Sequence, residues 1–191
     1  TKLVHTLGVQ NKPKIGIFTS LPINQSVDPT TYQPTPAWVV ITQLEELFDV
    51  DVLDELSVQS VAAIDILLLV HPKSLVEAQL YAVDQFVMRG KKLFAFVDPL
   101  AEMDAPAATG MNMPNASASD LNILTSNWGV TLRPDEVLGD AASALLVGDP
   151  NGAAVRHLGI LGFADNNLSR GDVATAPLEG INMATVGIFD I

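Results

Sequence analysis

The segment that most constrains this chain is Ile66-Leu67-Leu68-Leu69-Val70, an apolar run with no polar position in it. A strand with one wet face alternates polar and apolar residues, whereas a strand covered on both faces need not. The run therefore predicts an inner strand of a parallel sheet. It stops at His71-Pro72-Lys73. Ser74 and Glu77 follow at capping-box spacing and predict a helix with Ser74 at N-cap and Glu77 at N3. Val76, Leu80, Val83 and Val87 form its buried stripe, and Gly90 ends it at C′. Lys92 to Val97 predicts the next strand, stopped by Asp98-Pro99. This is one βαβ unit.

The same logic extends in both directions. Lys14 to Ser20, after Pro13, predicts the first strand, and Leu21 to Pro34, with three prolines, predicts a loop. Thr35-Pro36 supplies an N-cap and an N1 proline for a helix whose apolar face carries Val40, Ile41, Leu44, Leu47 and Phe48. Asp51-Val52-Leu53 predicts the second strand. Residues 101–118, rich in Ala, Met, Asn and Pro, show no period and predict a long mobile loop. A helix is expected from about Ser119 to Trp128, with Leu121, Leu124 and Trp128 on one face and Gly129 as its stop, followed by a fifth strand at Val130–Leu132. Alternating strands and helices predict an α/β fold with a doubly wound, mostly parallel sheet.

After Arg133 the texture changes. Short apolar pieces at Ala144–Val147, Leu158–Phe163 and Ala184–Phe189 are separated by Gly, Asp, Asn and Pro, predicting strands and turns in an antiparallel extension. The expected organisation is an α/β three-layer core over residues 1–132 and a β-rich C-terminal extension over 133–191, packed on that core. At 191 residues the chain is long enough to bury a real core.

Charge excludes one class of partner. Asp+Glu number 22 against Lys+Arg 10, and a net charge of −12 repels phosphate backbones, so nucleic acid is not an expected partner. The absence of cysteine removes disulfides, thiolate metal sites and every Cys nucleophile. No stretch approaches the roughly 18 apolar residues that span a bilayer; the richest, Val61–Val70, is broken by Asp65. A chain that opens on Thr1 and stops at Ile191 is expected to be a segment of something longer.

Several pieces, in order, resemble a family of uncharacterised ABC-type transport auxiliary proteins that includes the gliding-motility-associated ones. They are Lys14-Ile15-Gly16-Ile17 running to Ser20-Leu21-Pro22, Leu67 to Lys73, Ala82 to Gly90, Phe96-Val97-Asp98-Pro99, Asp120-Leu121-Asn122 to Val130, and Val137-Leu138-Gly139-Asp140. The likeness covers roughly residues 13–190. It implies a periplasmic, extracytoplasmic domain tethered to the inner membrane by segments outside these residues. The permease and associated membrane proteins would be its partners, and the ATPase a separate chain. It also implies a flavodoxin-like fold similar to that of class I glutamine amidotransferases. It carries over no catalytic residue and no cofactor.

The amidotransferase likeness can be weighed on the residues. That chemistry needs a Cys thiolate on a strand-to-helix elbow beside a His, and no Cys exists; nor is there a Gly-x-Ser-x-Gly elbow. No Walker A or Gly-x-Gly-x-x-Gly sequence signals a phosphate cradle. His5, His71 and His157 lack helical zinc spacing, so no metal is expected. The Asn-x-Ser triplets at Asn24, Asn115 and Asn167 are inert in the bacterial family implied. Met103, Met111 and Met113 would either adapt to a partner surface or fold over the core.

Parallel sheets bind ligands beyond the carboxyl ends of their strands, at the point where strand order reverses. That edge would present Thr19, Ser20, His71, Lys73 and Asp98, with His71 and Asp98 the pair best placed to converge. Two readings follow. Either the domain is a noncatalytic auxiliary module working by protein contact or cargo presentation, or it binds a small polar molecule or sugar at this edge.

Overall fold

Ile66–Val70 does form an inner strand, flanked on both sides by parallel neighbours. The computed structural model describes residues 12–24, 26–27, 32–104, 118–148, 152–164 and 167–191. In chain order the elements are β1 (Lys14–Thr19), β2 (Ser26–Val27), β3 (Pro34–Thr35), α1 (Val39–Leu47), β4 (Asp49–Val52), β5 (Ile66–Val70), α2 (Glu77–Met88) and β6 (Lys92–Phe96). Then come α3 (Asn122–Thr125), continued by a 3-10 turn (Ser126–Trp128), β7 (Thr131–Leu132), β8 (Ala144–Gly148), β9 (Ala154–Ala164), β10 (Gly180–Ala184) and β11 (Phe189–Asp190).

The main sheet runs β4-β1-β5-β6, parallel throughout. Alternation along each strand splits its side chains between two cores. Ile15, Ile17, Ile66, Leu68 and Val70 pack with Ile41, Leu44 and Phe48 of α1. On the opposite face, Leu67 and Leu69 pack with Val83 and Phe86 of α2 and with Leu56, Val61 and Ile64 of the segment entering β5. Gly16 sits close against this face: a Cβ would come 3.1 Å from the Ile64 and Leu53 side chains, which would have to move by a few tenths of an ångström. α2 ends as expected: Gly90 (φ +75°) donates to Val87 O and Lys91 to Phe86 O, a Schellman closure that needs a left-handed residue.

Several local expectations shift. α1 starts at Val39, not after Thr35, because Thr35 pairs with Ser26 in a small ribbon and the Trp38 N–H donates to Ile23 O at 2.9 Å. α2 starts at Glu77 with Val76 at N-cap. The Gln79 side-chain oxygen accepts the Val76 N–H at 3.0 Å, so Gln79 does what Glu77 was expected to do. Ser74 lies outside the helix with φ +49°, and Val76 is exposed rather than buried. The helix expected over 119–128 shrinks to α3 and its 3-10 turn, because residues 119 and 120 are tied to the strand ends. Ser119 N–H donates to Asp98 O, and Asp120 N–H donates to Pro72 O.

The expected fifth strand does not join the parallel sheet. β7 pairs antiparallel with β11, while the Asn122 amide holds the N–H and C=O of Leu132 at 2.9 and 2.8 Å, so those groups are unavailable to β6. Beyond Arg133 the strands are antiparallel, as expected, in a sheet ordered β10-β9-β8. Ala184–Phe189 is not one strand, since Thr185 takes φ +49° and separates β10 from β11. The fold is thus α/β: a four-stranded parallel sheet with antiparallel sheets following it. Among the described residues no helix is long and apolar enough to cross a membrane. His5, Met111, Met113, Asn115 and most of the loop expected at 101–118 lie outside the described residues.

Leu67 is fully buried between β5 and α2. Leu67→Ala should lower unfolding free energy by about 2–5 kcal/mol, measured by urea denaturation. A loss below about 1 kcal/mol would mean this face is not the tightly packed one.

Candidate functional site

The carboxyl ends of β1, β5 and β6 meet where strand order reverses, because the chain leaves β1 for β4 on one side and later enters β5 on the other. Thr19 and Ser20 leave β1, His71 and Lys73 leave β5, and Asp98 leaves β6. The structure unites some of these and separates others.

His71 and Lys73 converge on one carboxylate, that of Asp104. His71 Nε2 lies 3.2 Å from Asp104 Oδ2, and the Lys73 ammonium bonds the same oxygen. Asp104 and His71 are both buried, Lys73 partly so. Burial alone raises the Asp104 pKa. The Lys73 and His71 hydrogen bonds and charges outweigh it and hold the carboxyl below its usual range. An ionised carboxylate only accepts, so His71 Nε2 carries the proton. His71 Nδ1 is buried and has no hydrogen-bond partner among the described residues.

His71 is over-determined. Its backbone sits at φ +50°, a sparsely populated region for a non-glycine residue. Its N–H donates to Phe96 O at 2.9 Å, and its carbonyl accepts the Ser20 hydroxyl at 2.8 Å. Ser20 therefore bonds the His71 backbone, not the imidazole, and forms no nucleophile–base pair with the ring.

The expected His71–Asp98 pair does not form. Asp98 Oδ1 accepts the Leu100 N–H at 2.8 Å within its own loop, and Ser119 bonds the Asp98 backbone through both its hydroxyl and its N–H. Burial raises the Asp98 pKa, offset in part by the Leu100 N–H and the nearby His71 charge. Thr19 turns away: its Oγ1 accepts the Leu21 N–H, and it lines a separate cleft of about 380 Å³ between β1 and β4 with Leu21, Ile23 and Asp54.

Another cleft, of about 330 Å³, opens past β5 and β6 between Ser74, Pro99, Asp120, Leu132 and Asp135. Asp120 Oδ1 accepts the Asn122 N–H. No described residue bonds the Asp135 carboxylate or the Ser74 hydroxyl, and Ser74 and Asp135 both take positive φ. Among the described residues no three His, Asp or Glu side chains are grouped to hold a metal.

Asp104 is the site residue that sequence reasoning missed. It stands in the aperiodic loop, where the available signal was scarcity: Glu102 and Asp104 are the two acids of residues 101–118. Asp104→Asn should cost about 1–3 kcal/mol at pH 7 by removing the carboxylate that Lys73 and His71 share. Because the folded pKa is depressed, the stabilisation is complete above pH 3.8 and is lost as pH falls through the folded value. Denaturation midpoints of wild type and D104N should therefore differ at pH 7 and converge below pH 3.8. A gap that persists in acid would contradict this ion cluster.

Residues 12–191 match the family described as ABC-type uncharacterized transport system. No curated protein and no solved structure matches the chain. With nearly its whole length matched, the chain belongs to this ABC-type transport family and is an auxiliary component of such a system.

Proposed function

We propose that the domain is a noncatalytic, extracytoplasmic module of an ABC transport complex. Segments outside these residues would tether it to the inner membrane, and it would act through contact with the permease and associated membrane proteins or by presenting cargo to them. The observation that supports this reading is what the sheet edge does with its reactive groups. The imidazole, the ammonium and the Ser20 hydroxyl that would contact a substrate are instead bound to Asp104 and to the backbone. They fix loops rather than await a ligand, and no cysteine is present to supply the amidotransferase nucleophile.

A cysteine-free chain makes localisation easy to test. Val173 is almost fully exposed. Full-length protein carrying Val173→Cys should react in intact spheroplasts with a membrane-impermeant maleimide, whereas the unsubstituted protein defines background. Labelling that appears only after lysis would place the domain in the cytoplasm and defeat the proposal. Co-purification of permease with the full-length protein tests the partner separately.

A second reading has one observation in its favour: the cleft bounded by Ser74, Asp120 and Asp135 carries a hydroxyl and a carboxylate, those of Ser74 and Asp135, that no described residue bonds. A small polar ligand or sugar would sit there. Thermal-shift screening against mono- and disaccharides should show stabilisation that Asp135→Asn removes; a flat response across the panel rejects this reading.

A further inference from the structure

The outer edge of the parallel sheet has no strand paired to it among the described residues, although Trp128, Leu132 and Phe189 share a cleft of about 210 Å³ with Ala95 and Val97. Among the described residues β6 pairs with β5 alone. Lys92 N–H donates to Asp65 O, and Phe96 O accepts from His71 N–H, so the even residues of β6 direct their backbone groups inward to β5. By the parallel register, the N–H and C=O groups of Leu93 and Ala95 face outward. Past the strand end, Ser119 bonds the Asp98 backbone and the Thr185 hydroxyl donates to Leu100 O.

Side chains on this edge are apolar where solvent should meet polar ones. Phe94 and Phe96 are 57% and 53% exposed, on the face that α1 covers only as far as β5. Their rings contact edge to face, with centroids 4.8 Å apart. Charge is arranged along the same strand: Arg89, Lys91 and Lys92 at its start, Asp98 and Glu102 after its end. Three of the chain's 10 Lys and Arg thus stand at one end of one edge strand, in a chain of net charge −12.

We propose that this edge docks a second copy of the chain, β6 against β6 in antiparallel register about a two-fold axis at Ala95. The outward backbone groups permit that register, with Ala95 opposite Ala95 and Leu93 opposite Val97, and the side chains select it. On the aromatic face, Phe94 of each copy then lies opposite Phe96 of the other, and Lys92 opposite Asp98. The strand reads charge, aromatic, aromatic, charge of the opposite sign, and so complements itself when reversed, as a two-fold interface requires. Two four-stranded sheets become one of eight. Lys91 is paired with Asp65, and Arg89 and Lys92 at the strand start offset, at the point of contact, the repulsion between two acidic domains.

The test uses the 191-residue chain. A two-fold at Ala95 sets the two Ala95 Cα atoms about 5.5 Å apart, within disulfide range. Under mild oxidation Ala95→Cys should therefore form a covalent dimer much faster than Ile123→Cys, an exposed position on α3. Sedimentation of the wild type should show a reversible dimer at concentrations on the order of 0.1–1 mM. Phe94→Glu, placing carboxylates among the facing rings, should weaken it about tenfold or more. Circular dichroism checks that the variant folds. A wild type monomeric throughout this range overturns the proposal, as does A95C cross-linking no faster than I123C. A dimer that F94E leaves intact places the interface elsewhere and overturns it equally.

Discussion

A carboxylate below the surface is costly unless cations and donors replace its water. Asp104 meets that condition through two residues from the turn after β5, Lys73 and His71. Because Asp104 lies on the chain leaving β6, its ion pairs join the exits of two neighbouring strands. Ser119 and Asp120 return to the same place and bond Asp98 and Pro72. The exits of β5 and β6 are therefore tied together by the protein's own polar groups, beside the clefts that open at the same edge.

The cluster also accounts for the backbone at its centre. A left-handed conformation at His71 is tolerated because its N–H, its carbonyl and its ring are each held, by Phe96, Ser20 and Asp104. These three contacts bring together the ends of β1, β5 and β6, the strands that straddle the reversal of strand order. These contacts lie at the position that open parallel sheets commonly use for ligands. A His hydrogen-bonded to a carboxylate resembles part of a catalytic triad, but the adjacent hydroxyl is bonded to the backbone and there is no thiol.

How much of this was legible in the sequence depended on range. β1, β5 and β6 and the Gly90 stop follow from contiguous runs and a single left-handed residue, and reading those residues alone places them. Competing local signals were ambiguous. Ser74–Glu77 and Val76–Gln79 are both spaced as caps, but Val76 takes the extended conformation of an N-cap whereas Ser74 is left-handed at φ +49°. Thr35-Pro36 looked like a helix start until a distant pairing with Ser26 pulled it into a ribbon. β7 was read correctly as extended but assigned to the wrong sheet, since its partner is β11, far along the chain. Of the candidate residues, His71 and Lys73 were found by their place at a strand end. Their anion was not, because nothing near Asp104 marks it as buried.

β6 carries the opposite lesson. Lys92-Leu93-Phe94-Ala95-Phe96 has the composition of a strand covered on both faces, and one of its faces is indeed covered, by α2. On the other, α1 lies over β1 and β5, and no described element lies over Phe94 and Phe96. Natural sheets blunt exposed edges with charge, proline or bulges, and within this strand the one charge is at its first residue. Burial of the Phe94 and Phe96 rings by a second copy would complete the core on that face. Since its charges and rings match when the strand is reversed against itself, an identical strand supplies that burial with no unlike surface required.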